Sequence, residues 1–141
     1  MQKQTQKTVS KVLLTKLRAV AMDAAKQAYC PYSRFPVGAA VLTADGRIFS
    51  GCNVENASYG LTICAERNAV FQAVAGGSPE IRVVMIYTPT SGPSAPCGAC
   101  LQVINEFGPG AEIYSLCNGR RELHNSLPEL LKHAFGPKNL R

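Results

Sequence analysis

Two short cysteine clusters, Cys64-Ala65-Glu66 and Pro96-Cys97-Gly98-Ala99-Cys100, restrict what this chain can fold into more than any other feature. Each opens a segment of helical periodicity. Residues three apart on a helix share a face, so Cys97 and Cys100 can aim both sulfurs at one point. The partial positive charge of a helix N-terminus lowers the thiol pKa there and favours the thiolate that binds metal. If a helix starting at Cys64 turns its own N-terminus to the same spot, three thiolates converge, and the fold must lay two helix starts side by side. Three protein ligands leave a fourth tetrahedral position open, which separates catalytic zinc from structural zinc with its usual four. A water in that position becomes hydroxide near neutral pH, and Glu66 is placed to move its proton.

Taken alone, Cys97-Gly98-Ala99-Cys100 also reads as a redox pair at a helix N-terminus. The upstream cluster brings a glutamate that redox chemistry does not need, and this favours zinc. A structural zinc module would call for a fourth cysteine ligand. Cys30, Cys52 and Cys117 lie in or beside apolar strands or a helix end and are assigned to packing, since free cysteine is among the most buried residue types.

The remaining periodicities supply a frame for this site. Val9, Val12, Leu13, Leu17, Val20, Ala21, Ala24 and Ala28 recur at helical spacing, with Thr8 or Ser10 as N-cap and a stop near Tyr29-Cys30-Pro31. The runs 37–43 and 47–52 read as antiparallel strands around the Asp45-Gly46 turn. Residues 64–75 form an apolar helix ended by Gly76-Gly77, and 81–87 a continuously apolar strand covered on both faces. Helix 97–107, strand 112–117, a short strand near Glu122 and a closing helix 127–134 complete the order. Strands alternating with helices predict an α/β protein, a three-layer α/β/α sandwich around a mixed sheet of about five strands. The expected organisation is a polar tail, residues 1–9, and one domain, residues 10–141, because a chain of 141 residues has interior for a single core.

With 46% apolar and 7% aromatic residues the composition suits a globular protein, and no apolar run reaches the roughly 20 residues of a membrane-spanning helix. The polar start, Met1 to Lys7, lacks the apolar core of a secretory signal, so a cytoplasmic location is expected. The formal charge of +6 raises the question of nucleic acid. Lys3, Lys7, Lys11, Lys16 and Arg18 all precede the first acidic residue, Asp23, but no aromatics are interleaved on which bases could stack. A polar tail and a solvated helix face explain that clustering better than a nucleic-acid partner.

The segments Tyr32-Ser33-Arg34-Phe35-Pro36-Val37-Gly38-Ala39-Ala40, Cys52-Asn53-Val54-Glu55-Asn56-Ala57, Ile63-Cys64-Ala65-Glu66-Arg67 and Pro96-Cys97-Gly98-Ala99-Cys100 together resemble the small, homotetrameric, zinc-dependent cytidine deaminases. The likeness runs from about Ser10 to the C-terminus. It implies one Zn2+ per chain on Cys64, Cys97 and Cys100, Glu66 as proton shuttle, and hydrolysis of cytidine and 2′-deoxycytidine to the uridines in pyrimidine salvage. It further implies that Asn53 and Glu55 bind the ribose hydroxyls, that Phe35 packs against the pyrimidine, and that the Ala65 backbone meets the base. Arg67 is implied to hydrogen-bond the zinc thiolates, offsetting the net negative charge that three thiolates leave on a divalent ion. Ala57, Tyr59 and Phe135 are the implied counterparts of residues that complete a neighbouring chain's site in a tetramer. Cysteine rather than histidine at position 64 favours free nucleosides over the polymers and nucleotides of related enzymes. Leu101 stands where many relatives carry arginine, which shifts charge compensation onto Arg67 and the helix dipoles, and Lys132 where a proline often precedes the final phenylalanine. Without the resemblance, Asn53 and Glu55 would read as a solvated turn, Phe35 and Phe135 as core aromatics, and Arg67 as a surface ion-pair partner. His124 and His133 have no ligand spacing to the cysteines and are expected at the surface.

Overall fold

A computed structural model describes residues 8–141. The polar segment 1–7, with Lys3 and Lys7, lies outside the described residues. Helix α1 spans Lys11–Ala25, with the Leu13 N–H donating to the Ser10 hydroxyl oxygen at 3.2 Å as an N-cap. Strands β1 (Gly38–Thr43) and β2 (Ile48–Cys52) follow, then α2 (Ala65–Ala75), β3 (Ile81–Tyr87), α3 (Gly98–Phe107), β4 (Glu112–Leu116), β5 (Leu123–Ser126) and a one-turn helix α4 (Leu127–Leu130). The sheet order is β2-β1-β3-β4-β5. Only β3 and β4 pair in parallel, joined across α3; every other neighbour is antiparallel.

Alternation along the strands makes two cores. Ala39, Val41, Val84, Ile86 and Ile113 pack with Ala69 and Val70 of α2 and Leu101 and Ile104 of α3. Ala40, Leu42, Val83, Met85 and Leu116 point the other way, against Leu17, Ala21 and Ala25 of α1. The result is the expected three-layer sandwich with a mixed five-stranded sheet. Truncating a wholly buried residue such as Leu17 or Ile104 to alanine costs about 2–5 kcal/mol in such a core.

Two glycines let helices approach the sheet. A Cβ on Gly38 would lie 1.9 Å from the Ala21 carbonyl oxygen of α1, and one on Gly51 would lie 2.4 Å from the Ala69 nitrogen and 2.7 Å from the Ala65 oxygen of α2. The start of α2 is therefore pressed onto the end of β2, where the Asn68 side chain also donates to the Cys52 carbonyl at 2.8 Å.

Register then explains why two distant helix starts meet. Gly38 pairs with Cys52 on one side and Tyr87 on the other, and Tyr87 with Leu116. The ends of β2, β3 and β4 and the beginning of β1 thus form one row at one end of the sheet. The loops that carry Phe35, Asn53, Cys64 and Cys97 all leave from that row.

Some boundaries differ from the periodicity. α1 ends at Ala25, not near Tyr29, because the N–H groups of Gln27 and Ala28 turn back to Ala24 and Ala25 in tighter bonds and Tyr29 enters a bridge with Val54. Cys64 and Cys97 are N-cap residues and the helices begin one position later. The closing helix stops after one turn, where Leu131 leaves helical geometry and His133 adopts a φ of 53°. That turn is held by a capping box between Ser126 and Glu129 with Pro128 inside it. Cys117 is buried, whereas Cys30 and Cys52 are half-buried. His124 and His133 are exposed, and His124 stacks on Tyr114 and lies 2.6 Å from the Glu112 carboxylate. Among the described residues no helix is long and apolar enough to cross a membrane.

Candidate active site

The Sγ atoms of Cys64, Cys97 and Cys100 lie within 4.8 Å of one another, the only group among the described residues in which three such side chains could hold a metal. Cys64 and Cys97 are 3.9 Å apart. Tetrahedral zinc with bonds of about 2.3 Å separates two sulfurs by about 3.8 Å, so this spacing suits zinc and is far beyond a disulfide bond. Cys97 and Cys64 cap their helices while Cys100 sits one turn inside α3, which places all three at positive helix ends.

The charges around the sulfurs fit the same ion. The Cys64 thiol is lowered to about 5, by hydrogen bonding with Cys100 first and then by Arg67 and Cys97, against an opposing effect of burial. Cys100 moves up, because it donates to the Cys64 thiolate, is buried, and faces the charge of Glu66. The Arg67 Nη2 donates to Cys64 Sγ at 3.5 Å, and its Nε is buried with no hydrogen-bond partner among the described residues. An unspent guanidinium donor beside a thiolate cluster suits a centre whose ligands outweigh the charge of their ion. Leu101, where an arginine was the alternative, is buried in the α2/α3 core and offers no such compensation.

Glu66 is 6% exposed, and its Oε2 lies 3.7 Å from the Cys100 Sγ. Burial pushes its carboxyl above the usual range, and the nearby Cys64 thiolate adds to the rise. A carboxyl shifted upward is the state in which a glutamate both gives and takes a proton near neutrality.

The loops from the same sheet end complete the surroundings. An isolated antiparallel bridge pairs Val54 with Ile63, which sets Asn53 opposite Cys64 on the facing segment. A cleft of about 360 Å³ is lined by Tyr32, Ser33, Glu55, Tyr59 and Thr62. Glu55 Oε1 accepts the N–H groups of Tyr32 and Ser33 at 3.0 and 3.1 Å. Asn53 is 8% exposed and directs its amide to the backbone of Phe35 and Val37, each at 2.8 Å. Ala65 is the first residue of α2, so its N–H belongs to the turn with no intrahelical acceptor.

Phe35 is exposed, at 39%, at the edge of this region, and Ala57 is exposed as well. Tyr59 is 74% exposed, although its ring approaches that of Tyr32 to 5.6 Å. Phe135 is 57% exposed, and its carbonyl oxygen accepts from Gln102 and Asn105 of α3. The ring itself belongs to neither core cluster. Tyr32, Ser33 and Thr62 received no individual role from sequence reasoning. Tyr32 and Ser33 sit inside a motif quoted above, but nothing local signals that their N–H groups face Glu55.

Three convergent thiols with a buried glutamate, on a mixed sheet between helix layers, define a zinc-dependent hydrolytic class of enzyme. Residues 13–116 match the family described as the cytidine and deoxycytidylate deaminase zinc-binding region. A cytidine deaminase of Sporosarcina psychrophila is 45% identical over 126 residues, covering 89% of this chain and 93% of the relative; one of Halalkalibacterium halodurans is 43% identical over 121 residues, covering 85% and 92%. The crystal structure of a Burkholderia pseudomallei cytidine deaminase superposes with a TM-score of 0.82 at 46% identity, covering 86% of this chain and 98% of that one. That of the Mycobacterium tuberculosis cytidine deaminase gives 0.75 at 41%, covering 87% and 97%. The chain belongs to the cytidine and deoxycytidylate deaminase zinc-binding family.

Proposed function

We propose that this protein is a zinc-dependent deaminase that hydrolyses cytidine and 2′-deoxycytidine to uridine and 2′-deoxyuridine with release of ammonia. The observation that carries the reading is the convergence of Cys64, Cys97 and Cys100 beside Glu66, which leaves a tetrahedral ion one position for water. These three cysteines hold one Zn2+, which when bound supplies a Lewis acid and lowers the pKa of a coordinated water to about 7.

The chain's own residues do the rest. Glu66, buried and shifted upward, gives its proton to N3 of the pyrimidine, which makes C4 electrophilic toward water. As the oxygen of water bonds to C4, Glu66 takes up the proton released and passes it to the exocyclic nitrogen. The C4–N bond then breaks and nitrogen leaves as ammonia, while the new C4 hydroxyl becomes the carbonyl and returns its proton to Glu66, regenerating the carboxyl. Arg67 keeps the thiolates compensated, and the Ala65 N–H is available to the base. Phe35 packs on the ring, and Asn53 and Glu55 meet the sugar hydroxyls. No organic cofactor is called for.

The remaining assignments extend the same reading. A single domain, residues 10–141, carries the activity in the cytoplasm, within pyrimidine salvage. The chain assembles as a homotetramer in which Ala57, Tyr59 and Phe135 of one copy complete the site of another, which accounts for apolar side chains left exposed. Nucleic acid is disfavoured as substrate, because the Glu55 carboxylate in the cleft repels a phosphate attached to the sugar. Incubating the zinc-loaded protein with cytidine, deoxycytidine, cytidine 3′-monophosphate and adenosine, and measuring ammonia, tests the proposal. Turnover of the two cytosine nucleosides alone is expected; turnover of adenosine but not cytidine would overturn it.

A further inference from the structure

The segment from Cys30 to Val37 contains no helix or strand; one local turn bond runs from the Arg34 N–H to the Cys30 carbonyl at 2.9 Å, and the bonds that reach it from outside come from Asn53 and Glu55. Asn53 Nδ2 donates to the Phe35 carbonyl and Asn53 Oδ1 accepts the Val37 N–H, both at 2.8 Å. The Asn53 main chain adds a bond from its N–H to the Val37 carbonyl at 3.3 Å and accepts the Tyr29 N–H at 3.0 Å. Two residues further on, Glu55 holds Tyr32 and Ser33, and the Ser33 hydroxyl oxygen accepts the Phe35 N–H at 3.1 Å. Proline at 36 has no N–H to contribute. Arg34 sits at a φ of 54°, a conformation that persists only when its surroundings fix it.

An asparagine amide offers two donor hydrogens and two acceptor lone pairs. Half of that capacity is spent on the two residues that flank Pro36, and the side chain is nearly wholly buried in doing so. The same bridge that ties Val54 to Ile63 anchors Asn53 to the segment entering Cys64. The Asn53 amide is therefore the side-chain link that ties the Phe35 backbone directly to the segment entering the metal-binding helix, beside the Glu55 and main-chain bonds that hold the rest of the loop.

We propose that Asn53 is a positioning residue for Phe35: its amide sets the height of the aromatic ring relative to the cysteine cluster, so that fit to the base depends on it independently of any sugar hydroxyl. This rests on the nucleoside-deaminase reading above. The consequence is a coupling of base and sugar recognition, since a group that reaches for the ribose also carries the ring that meets the pyrimidine.

The chain contains no tryptophan, so Phe35→Trp installs a single fluorescent reporter. Adding Asn53→Asp replaces the donor to Phe35 while keeping the acceptor for Val37, and should shift the emission and lower the anisotropy of that tryptophan in the folded, zinc-loaded protein. In parallel, kcat/KM is measured on cytidine and on 2′,3′-dideoxycytidine, which lacks the 2′- and 3′-hydroxyls. Asn53→Asp and Asn53→Ala should each lower kcat/KM on the dideoxy substrate by about tenfold, and in a Phe35→Ala background that loss should shrink to about twofold or less, as expected of two residues acting as a unit. A loss seen with cytidine but not with dideoxycytidine, or an unchanged tryptophan signal, would overturn the positioning role. Absence of turnover of cytidine by the unmodified protein would instead overturn the deaminase reading and leave the fluorescence result to decide the structural coupling.

Discussion

Arg67 in the first turn of α2 and Cys64 at its N-cap form a donor–thiolate pair at 3.5 Å, with the Arg67 Nε buried alongside and unpartnered among the described residues. Because Leu101 is committed to the core, the guanidinium is the principal positive side chain facing the sulfurs. Arg67→Ala should weaken zinc binding by about 10- to 100-fold, measured by competition with a chromophoric chelator. Arg67→Lys, which keeps the charge but not the fork of donors, should fall between. Unaltered affinity in both would show that the guanidinium plays no part in charge compensation.

Removing any one of the three cysteines should remove metal and turnover together, because two sulfurs leave a tetrahedral ion geometrically incomplete. Metal analysis of Cys97→Ala is the check, with Cys30→Ala as the control that keeps one zinc per chain. Full zinc in Cys97→Ala would move the metal site elsewhere.

Glu66→Gln preserves shape and removes the exchangeable proton. Its carboxyl is buried beside Cys100, so an isosteric amide leaves the fold and the sulfurs in place. The turnover number should fall by at least about 10²-fold, the range for loss of a general acid–base, with zinc content and substrate binding little changed. A variant retaining about a tenth of the activity or more would exclude Glu66 as the proton shuttle.

Glu55 should carry a pH signature. The Ser33 side chain first, and then the N–H groups of Ser33 and Tyr32, hold its carboxyl below the usual value of 4.5. Because the folded pKa is depressed, the stabilisation of the loop is fully present above pH 4.5 and fades as pH falls through the lower folded value. Amide shifts of Tyr32 and Ser33 followed by NMR should titrate together with an apparent pKa under 4.5, and Glu55→Gln should abolish that step. A midpoint at or above the ordinary value would contradict the hydrogen-bond assignment.

Val54, Tyr59, Leu61 and Phe135 all project from the surface, and Tyr59 and Leu61 lie on the single 3-10 turn that borders the cleft. Sedimentation should find four copies of the chain, and Tyr59→Asp or Phe135→Asp should lower both the assembly state and kcat/KM. A fully active monomer would refute shared sites.

The two cysteine clusters, the glutamate within the first of them and the order of helices and strands were legible from the chain alone, since they depend on chemistry within a few residues: an N-cap, an i to i+3 spacing, an alternation of apolar side chains. The same locality explains the errors. Nothing within a turn of Leu131 announced that α4 would stop there, and α1 ended early because Tyr29 found a partner at Val54, far along the chain. What the tertiary structure alone decided is set by register. Pairing Gly38 with both Cys52 and Tyr87 gathers three loops at one sheet end, and only then does the Asn53 amide turn out to hold Phe35, and Glu55 the N–H groups of Tyr32 and Ser33. A side chain's type limits the hydrogen bonds it can make; which of them it makes depends on long-range contacts that no local pattern encodes.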